Sequence, residues 1–255
     1  MTDFATSPFF PNTSISAYAP SARPIRYAGM LGQSPEMQQV FTDITNIAKS
    51  QAPVLITGET GTGKDLCARA IHNYSARIEH KFIALNCAAL LKNLIESELF
   101  GHKKGAFTGA EQSQVGLVQK AHHGTLFLDE VSELPRDTQA KLLRFLQDGS
   151  YRPVGSSKEY ISDARILCAT NRDLSNDLRT GLFREDLYYR LNVLDISMPP
   201  LRHRQQDILI LAKHFLKLYS TEVKKAFNGL TKAAALLDIN PSTIHRKKAS
   251  WKNKA

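Results

Sequence analysis

The densest chemistry in this 255-residue chain sits in eight consecutive residues, Gly58-Glu59-Thr60-Gly61-Thr62-Gly63-Lys64-Asp65. They follow an apolar run, 53–57, and open a helix-forming stretch. Glycines let successive backbone N–H groups curl around phosphate oxygens. The N-terminus of the following helix adds a favourable dipole, and Lys64 reaches the terminal phosphates. This is GxxxxGK in the strand–loop–helix setting that gives the pattern its meaning. The Ser or Thr that usually follows the lysine and ligates magnesium is Asp65 here. Sixty-five residues after Lys64, the run Gly124-Thr125-Leu126-Phe127-Leu128 ends in Asp129-Glu130. Asp129 is expected to hold magnesium, directly or through water, and Glu130 to orient and polarise an attacking water. Acids at the end of a strand are common; paired with a phosphate loop upstream they become specific.

These groups meet only if the elements between them bring the strand ends together. Short apolar runs occur at 54–57, 82–86, 125–129, 165–169 and 193–197, and helical stretches at 64–74, 93–100, 137–147 and 205–219 alternate with them. Such alternation predicts an α/β fold, a parallel sheet with helices on both faces and its site at the carboxyl ends of the strands. Ser34-Pro35-Glu36 reads as an N-cap, a proline at the first helical position and an acid in the first turn, opening a helix through Val40, Ile44 and Ile47. Residues 1–28, rich in Ser, Thr, Pro and Ala, are expected to be irregular.

Apolar residues make up 42% of the chain and charged residues 22%, which excludes disorder as the main state. No apolar run approaches the ~18–20 residues that span a bilayer, and the first twenty residues do not read as a secretory signal. Three scattered cysteines, Cys67, Cys87 and Cys168, argue against a disulfide framework and point to the reducing cytoplasm. The charge is uneven. Residues 224–255 hold eight Lys/Arg against one acid, Asp238, so this segment carries +7 of the chain's net +9. A near-neutral body with a basic end suits contact with a polyanion.

Three further stretches accompany the phosphate loop and the acidic pair: Gly105-Ala106-Phe107-Thr108-Gly109-Ala110, Ala169-Thr170-Asn171-Arg172-Asp173, and the segment from Phe183 through Arg184 and Arg190 to Asn192. Together they resemble the AAA+ domain of bacterial enhancer-binding proteins, which activate transcription by RNA polymerase carrying sigma-54. The resemblance implies an AAA+ P-loop three-layer sandwich that binds ATP and magnesium through residues 58–65, Asp129 and Glu130. It implies that Gly105–Ala110 tip a mobile loop contacting sigma-54, with Phe107 as an exposed apolar anchor and the segment 149–163 assisting. Asn86 matches a switch that would hydrogen-bond Glu130, and Thr170 and Asn171 match the first nucleotide sensor. Arg184 and Arg190 match arginines that act on a neighbour's nucleotide, which implies a homo-oligomeric ring, hexameric in the family.

The family's helical lid carries a Trp-Pro-Gly-Asn…Arg-Glu-Leu stretch that this chain lacks, so a truncated lid over 205–230 is expected. Residues 231–248 resemble a Fis-type helix-turn-helix. Ala234, Leu237 and Ile244 would pack two short helices, and Ser242, Thr243, His245, Arg246 and Lys247 would face DNA. The expected division is therefore a leader (1–28), an ATPase core (29–204), a lid remnant (205–230) and a DNA-binding module (231–255). Two other readings fit the shortened lid and the ATPase motifs: a weak or inactive paralogue in mixed rings with a full-length relative, and a remodelling AAA+ ATPase unrelated to transcription.

Overall fold

The computed structural model describes residues 25–226. In chain order its elements are β1 (Ile25–Tyr27), β2 (Met30–Gly32), α1 (Pro35–Ala48), β3 (Val54–Thr57), α2 (Lys64–Asn73), β4 (Phe82–Asn86), α3 (Lys92–Phe100), β5 (Gly101–His102), β6 (Gln114–Val115), α4 (Leu117–Lys120), β7 (Thr125–Asp129), α5 (Arg136–Asp148), β8 (Ser150–Tyr151), β9 (Tyr160–Ile161), β10 (Arg165–Thr170), α6 (Leu174–Arg179), α7 (Glu185–Leu191), β11 (Leu194–Ser197) and α8 (Gln205–Ala226). The five apolar runs form one all-parallel sheet in the order β11-β3-β10-β7-β4. Strand order reverses at β3, so the loop after it opens at the crevice where such sheets bind ligands.

Alternate residues of each strand feed two cores. Leu55, Leu126, Leu128, Ile166 and Cys168 pack with α3, α5 and α7 on one face. Val54, Ile56, Phe127, Leu167 and Ala169 pack with α1 and α2 on the other. This is why the central strands read as unbroken apolar runs: a parallel sheet covered on both sides has no wet face. All three cysteines are free and buried; burial pushes the thiols of Cys67 and Cys87 up to about 12, which leaves them unreactive. No helix among the described residues is long and apolar enough to cross a membrane.

Two boundaries differ from expectation. The first hairpin begins at Ile25, inside the stretch expected to be irregular. Tyr27 anchors it by stacking on Phe41 and Tyr74, at ring separations of 5.0 and 4.6 Å. The last helix runs to Ala226 rather than stopping near 219, because no Gly or Pro interrupts it. Along residues 205–220 only the first turn is deeply held. Leu209, Leu216 and Tyr219 are 70%, 71% and 61% exposed.

That first turn is locked by Asp207, which is fully buried. Its carboxylate accepts from the Gln33 N–H (2.7 Å), the Ser34 N–H (3.0 Å) and the Ser34 hydroxyl (2.8 Å). Ser34 in turn caps α1. One acid thus ties the end of β2, the start of α1 and the start of α8 together. Asp207→Ala would strand two backbone donors and remove a carboxylate whose charge favours the buried Arg204 guanidinium. The expected loss is roughly 2–4 kcal/mol, read as a lower urea midpoint at unchanged slope. An unchanged midpoint would contradict this role.

Candidate functional site

The phosphate loop leaves β3 at Thr57 and enters α2 at Lys64. Gly61 and Gly63 have φ of 81° and 97°, a left-handed backbone that only glycine adopts freely. A Cβ on Gly61 would meet nothing within 4 Å, so the requirement there is conformational and the space beside the loop is open to a ligand. Lys64 is buried, and its Nζ donates to the carbonyls of Gly58 (2.9 Å) and Glu59 (3.3 Å). It also faces Glu130, with Nζ 3.8 Å from Oε1.

The acids arrive at the end of β7. Asp129 Oδ1 accepts the Glu130 N–H at 3.1 Å. Glu130 sits at φ 53°, ψ 53°, a conformation costing a non-glycine of order 1 kcal/mol or more and kept where the surroundings enforce it. Its Oε2 accepts the Asn171 N–H at 3.1 Å, and the Asn171 amide donates to Thr60 Oγ1 at 3.0 Å. The ends of β3, β7 and β10 are therefore joined through one glutamate and one asparagine. Thr170, buried beside Thr57 in register, hydrogen-bonds Ser132 at 3.3 Å and accepts the Arg172 N–H at 3.1 Å. Arg172 pairs with Glu133 at 2.5 Å.

Burial raises the pKa of the Asp129 carboxyl; the neighbouring Glu130 charge, and Asp65 more weakly, push the same way, while Lys64 opposes them. A half-buried carboxylate crowded by two others is a site that a hard divalent cation relieves. Asp129, with Glu130 and Asp65 nearby, thus fits magnesium.

Arg202 and Arg204, to which the sequence reading assigns no role, also lie at the loop. Arg202 grips Glu59 with both guanidinium nitrogens, at 2.5 and 2.8 Å, and this bond holds the Glu59 carboxyl below its ordinary range. The buried Arg204 donates to the Thr62 carbonyl at 3.2 Å. Both arginines lie between β11 and α8, so the entry to α8 is tied directly to the phosphate loop. The run Pro199-Pro200-Leu201-Arg202-His203-Arg204 was the available signal, but its partners lie about 140 residues away.

One expected contact is corrected. Asn86 does not hydrogen-bond Glu130. Its Oδ1 accepts from the N–H groups of Ala88 (2.9 Å) and Ala89 (3.2 Å), capping the short turn Cys87–Ala89. A short amide side chain competes well for nearby backbone donors, and Glu130 is already held by Lys64 and Asn171. Asn86 still lies opposite Asp129 in the β4–β7 register.

The loop tip Gly105–Ala110 is closed by the Gly105 N–H donating to the Ala110 carbonyl and the Ala110 N–H to the Phe107 carbonyl, at 2.9 and 3.0 Å. Phe107 is 38% exposed, with its ring edge against His102 at 5.0 Å, so the anchor is half-sheltered rather than free. The hairpin of β8 and β9 supports this loop: the Lys103 N–H donates to the Val154 carbonyl (3.0 Å) and the Val154 N–H to the Gly101 carbonyl (2.9 Å). At Gly155, φ 73°, a Cβ would come within 2.8 Å of the Ala106 Cβ, a close approach that requires glycine.

Arg184 lies beside α7 and Arg190 on it, and neither contacts the phosphate loop, Asp129 or Glu130 of its own chain. Arg184 pairs with Asp186 at 2.7 Å, and Arg190 donates to the Leu146 carbonyl at 3.0 and 3.1 Å. Ser242, Thr243, His245, Arg246 and Lys247 lie outside the described residues.

Comparison with known proteins agrees with this geometry. The chain is 52% identical over 209 residues to the regulatory protein LuxO of Vibrio vulnificus strain YJ016, covering 82% of this chain and 46% of that protein. It is 48% identical over 219 residues to the regulatory protein AtoC of Escherichia coli K12, covering 86% and 46%. The chain thus spans about half the length of the curated relatives it matches. Among solved structures, NtrX from Brucella abortus in complex with ATP superposes with a TM-score of 0.71 at 37% identity, covering 76% of this chain and 42% of that one. The fold is that of a P-loop AAA+ domain, and residues 30–197 match the model of the sigma-54 interaction domain: the chain belongs to that family.

Proposed function

We propose that this chain binds and hydrolyses ATP with magnesium and uses the cycle to press the Phe107 loop against sigma-54 in RNA polymerase. The observation that carries the reading is the junction at Glu130, where the water-activating acid touches the phosphate-binding lysine and the sensor asparagine at once. Family membership supports the partner, and the ATP complex of NtrX supports the nucleotide. In this mechanism the loop amides and Lys64 bind the phosphates, and Asp129 would hold magnesium, which would neutralise phosphate charge. Glu130 takes a proton from the attacking water. Asn171, bonded to both Glu130 and Thr60, registers the terminal phosphate and moves with its loss. Arg184, at the start of α7, and Arg190, on it, act on a neighbour's nucleotide in a homo-oligomeric ring. The basic segment 231–255 binds DNA upstream of the promoter as a separate module after the core and a short lid, and the protein works in the cytoplasm.

The exposed apolar side of α8 favours a second reading, in which the chain assembles into mixed rings with a full-length relative. One substitution separates the transcriptional reading from a general remodelling ATPase. Thr108→Ala, at the exposed loop tip, should abolish capture of purified sigma-54 while leaving ATP hydrolysis within about twofold of wild type. Wild-type protein that hydrolyses ATP but never captures sigma-54 would favour the general ATPase. Hydrolysis that appears only on adding the relative would favour the mixed ring.

A further inference from the structure

At the opposite end of the sheet from the phosphate loop, two adjacent histidines and an aspartate converge. His122 and His123 lie in the turn before β7, and Asp163 lies two residues before β10. His122 Nδ1 is 3.0 Å from Asp163 Oδ1, and His123 Nδ1 is 2.9 Å from Asp163 Oδ2. Side chains of consecutive residues normally diverge. Here they converge because His123 adopts φ 64°, in the left-handed region, which folds its ring back to a 3.8 Å centroid separation from the His122 ring. The His123 N–H also donates to Asp163 Oδ1 at 2.6 Å, fixing that turn.

We propose that His122, His123 and Asp163 form a surface site for a first-row divalent cation of the zinc type. The three side chains each offer a ligand atom, all within 4.8 Å of one another. A tetrahedral zinc–nitrogen site, with bonds of about 2.0–2.1 Å, needs ligand atoms about 3.3 Å apart. All three side chains are exposed, so small side-chain rotations close the gap. Two imidazoles and one carboxylate select zinc, copper or nickel over magnesium, so this site is chemically distinct from the all-oxygen site at Asp129. Three protein ligands leave a position for water, and the Arg77 guanidinium, 4.0 Å from Asp163, opposes added positive charge. Both features set a modest affinity. Bound there, the ion clamps the turn before β7 to the turn before β10, the two strands whose far ends carry Glu130 and Asn171.

The test is calorimetric titration of zinc into the full chain in excess magnesium, with no nucleotide present. Wild type should take up one zinc per chain, and zinc should raise its unfolding temperature. His122→Gln should weaken binding roughly tenfold or more, and so should His123→Asn, since asparagine keeps the left-handed turn while removing the imidazole. Both variants should lose the zinc-dependent stabilisation while unfolding like wild type in its absence. Asp129→Asn should bind zinc as wild type does. No saturable uptake by wild type would overturn the proposal. So would uptake unchanged in both histidine variants, or uptake lost only in Asp129→Asn.

Discussion

Glu130→Gln should reduce the rate of ATP hydrolysis by roughly 10²–10⁴-fold while leaving ATP affinity nearly intact. That span corresponds to about 3–5 kcal/mol of transition-state stabilisation. The separation of the two effects follows from the geometry. Glutamine is isosteric with glutamate, so its amide oxygen can still accept the Asn171 N–H, while the ion pair with Lys64 is lost and frees that ammonium for phosphate. Glutamine cannot accept a proton from water. The left-handed backbone at Glu130 persists in the variant, so the loss reports proton transfer rather than a collapsed turn. Single-turnover hydrolysis together with equilibrium nucleotide binding measures both quantities. Equal losses in affinity and rate would reassign Glu130 to binding.

Lys64→Ala acts on the other quantity. Nζ lies in the loop, held by the Gly58 and Glu59 carbonyls and buried against Glu130. In the proposed mechanism this buried ammonium binds the phosphates. Its removal also leaves Glu130 beside Asp129 and Asp65 with less compensation, raising the local negative potential where an anion must enter. The two effects add, and the expected loss of ATP affinity is roughly hundredfold or more, about 2.7 kcal/mol. Titration calorimetry of ATP with magnesium reads it directly. A loss under about threefold would move the phosphates away from this loop.

Legibility in the sequence followed the range of the interaction. The phosphate loop, the acidic pair and the five core strands were readable because each is local: a strand is an apolar run, and a glycine-rich turn is written in consecutive residues. The cap at Ser34 was readable for the same reason. The contacts that assemble the site are long-range and carry no local mark. Nothing near Asp207 announces that it is fully buried against Gln33 and Ser34, and nothing near Arg202 announces Glu59. The expected Asn86–Glu130 bond is absent because local donors win: two backbone N–H groups lie two and three residues ahead. The early start of the fold at Ile25 was hidden because its stabilisation comes from Tyr27 stacking on rings of α1 and the end of α2, not from any pattern in the leader itself.

Nucleotide state is proposed to control contact with a polymerase subunit, and one measurement addresses that coupling. Purified wild-type chain is run on a sizing column with sigma-54, once without nucleotide and once with ADP–aluminium fluoride and magnesium, which mimic the hydrolytic transition state. Co-elution in a larger assembly is expected only with the mimic. Separate elution under both conditions, from folded protein that binds the mimic, would contradict the coupling.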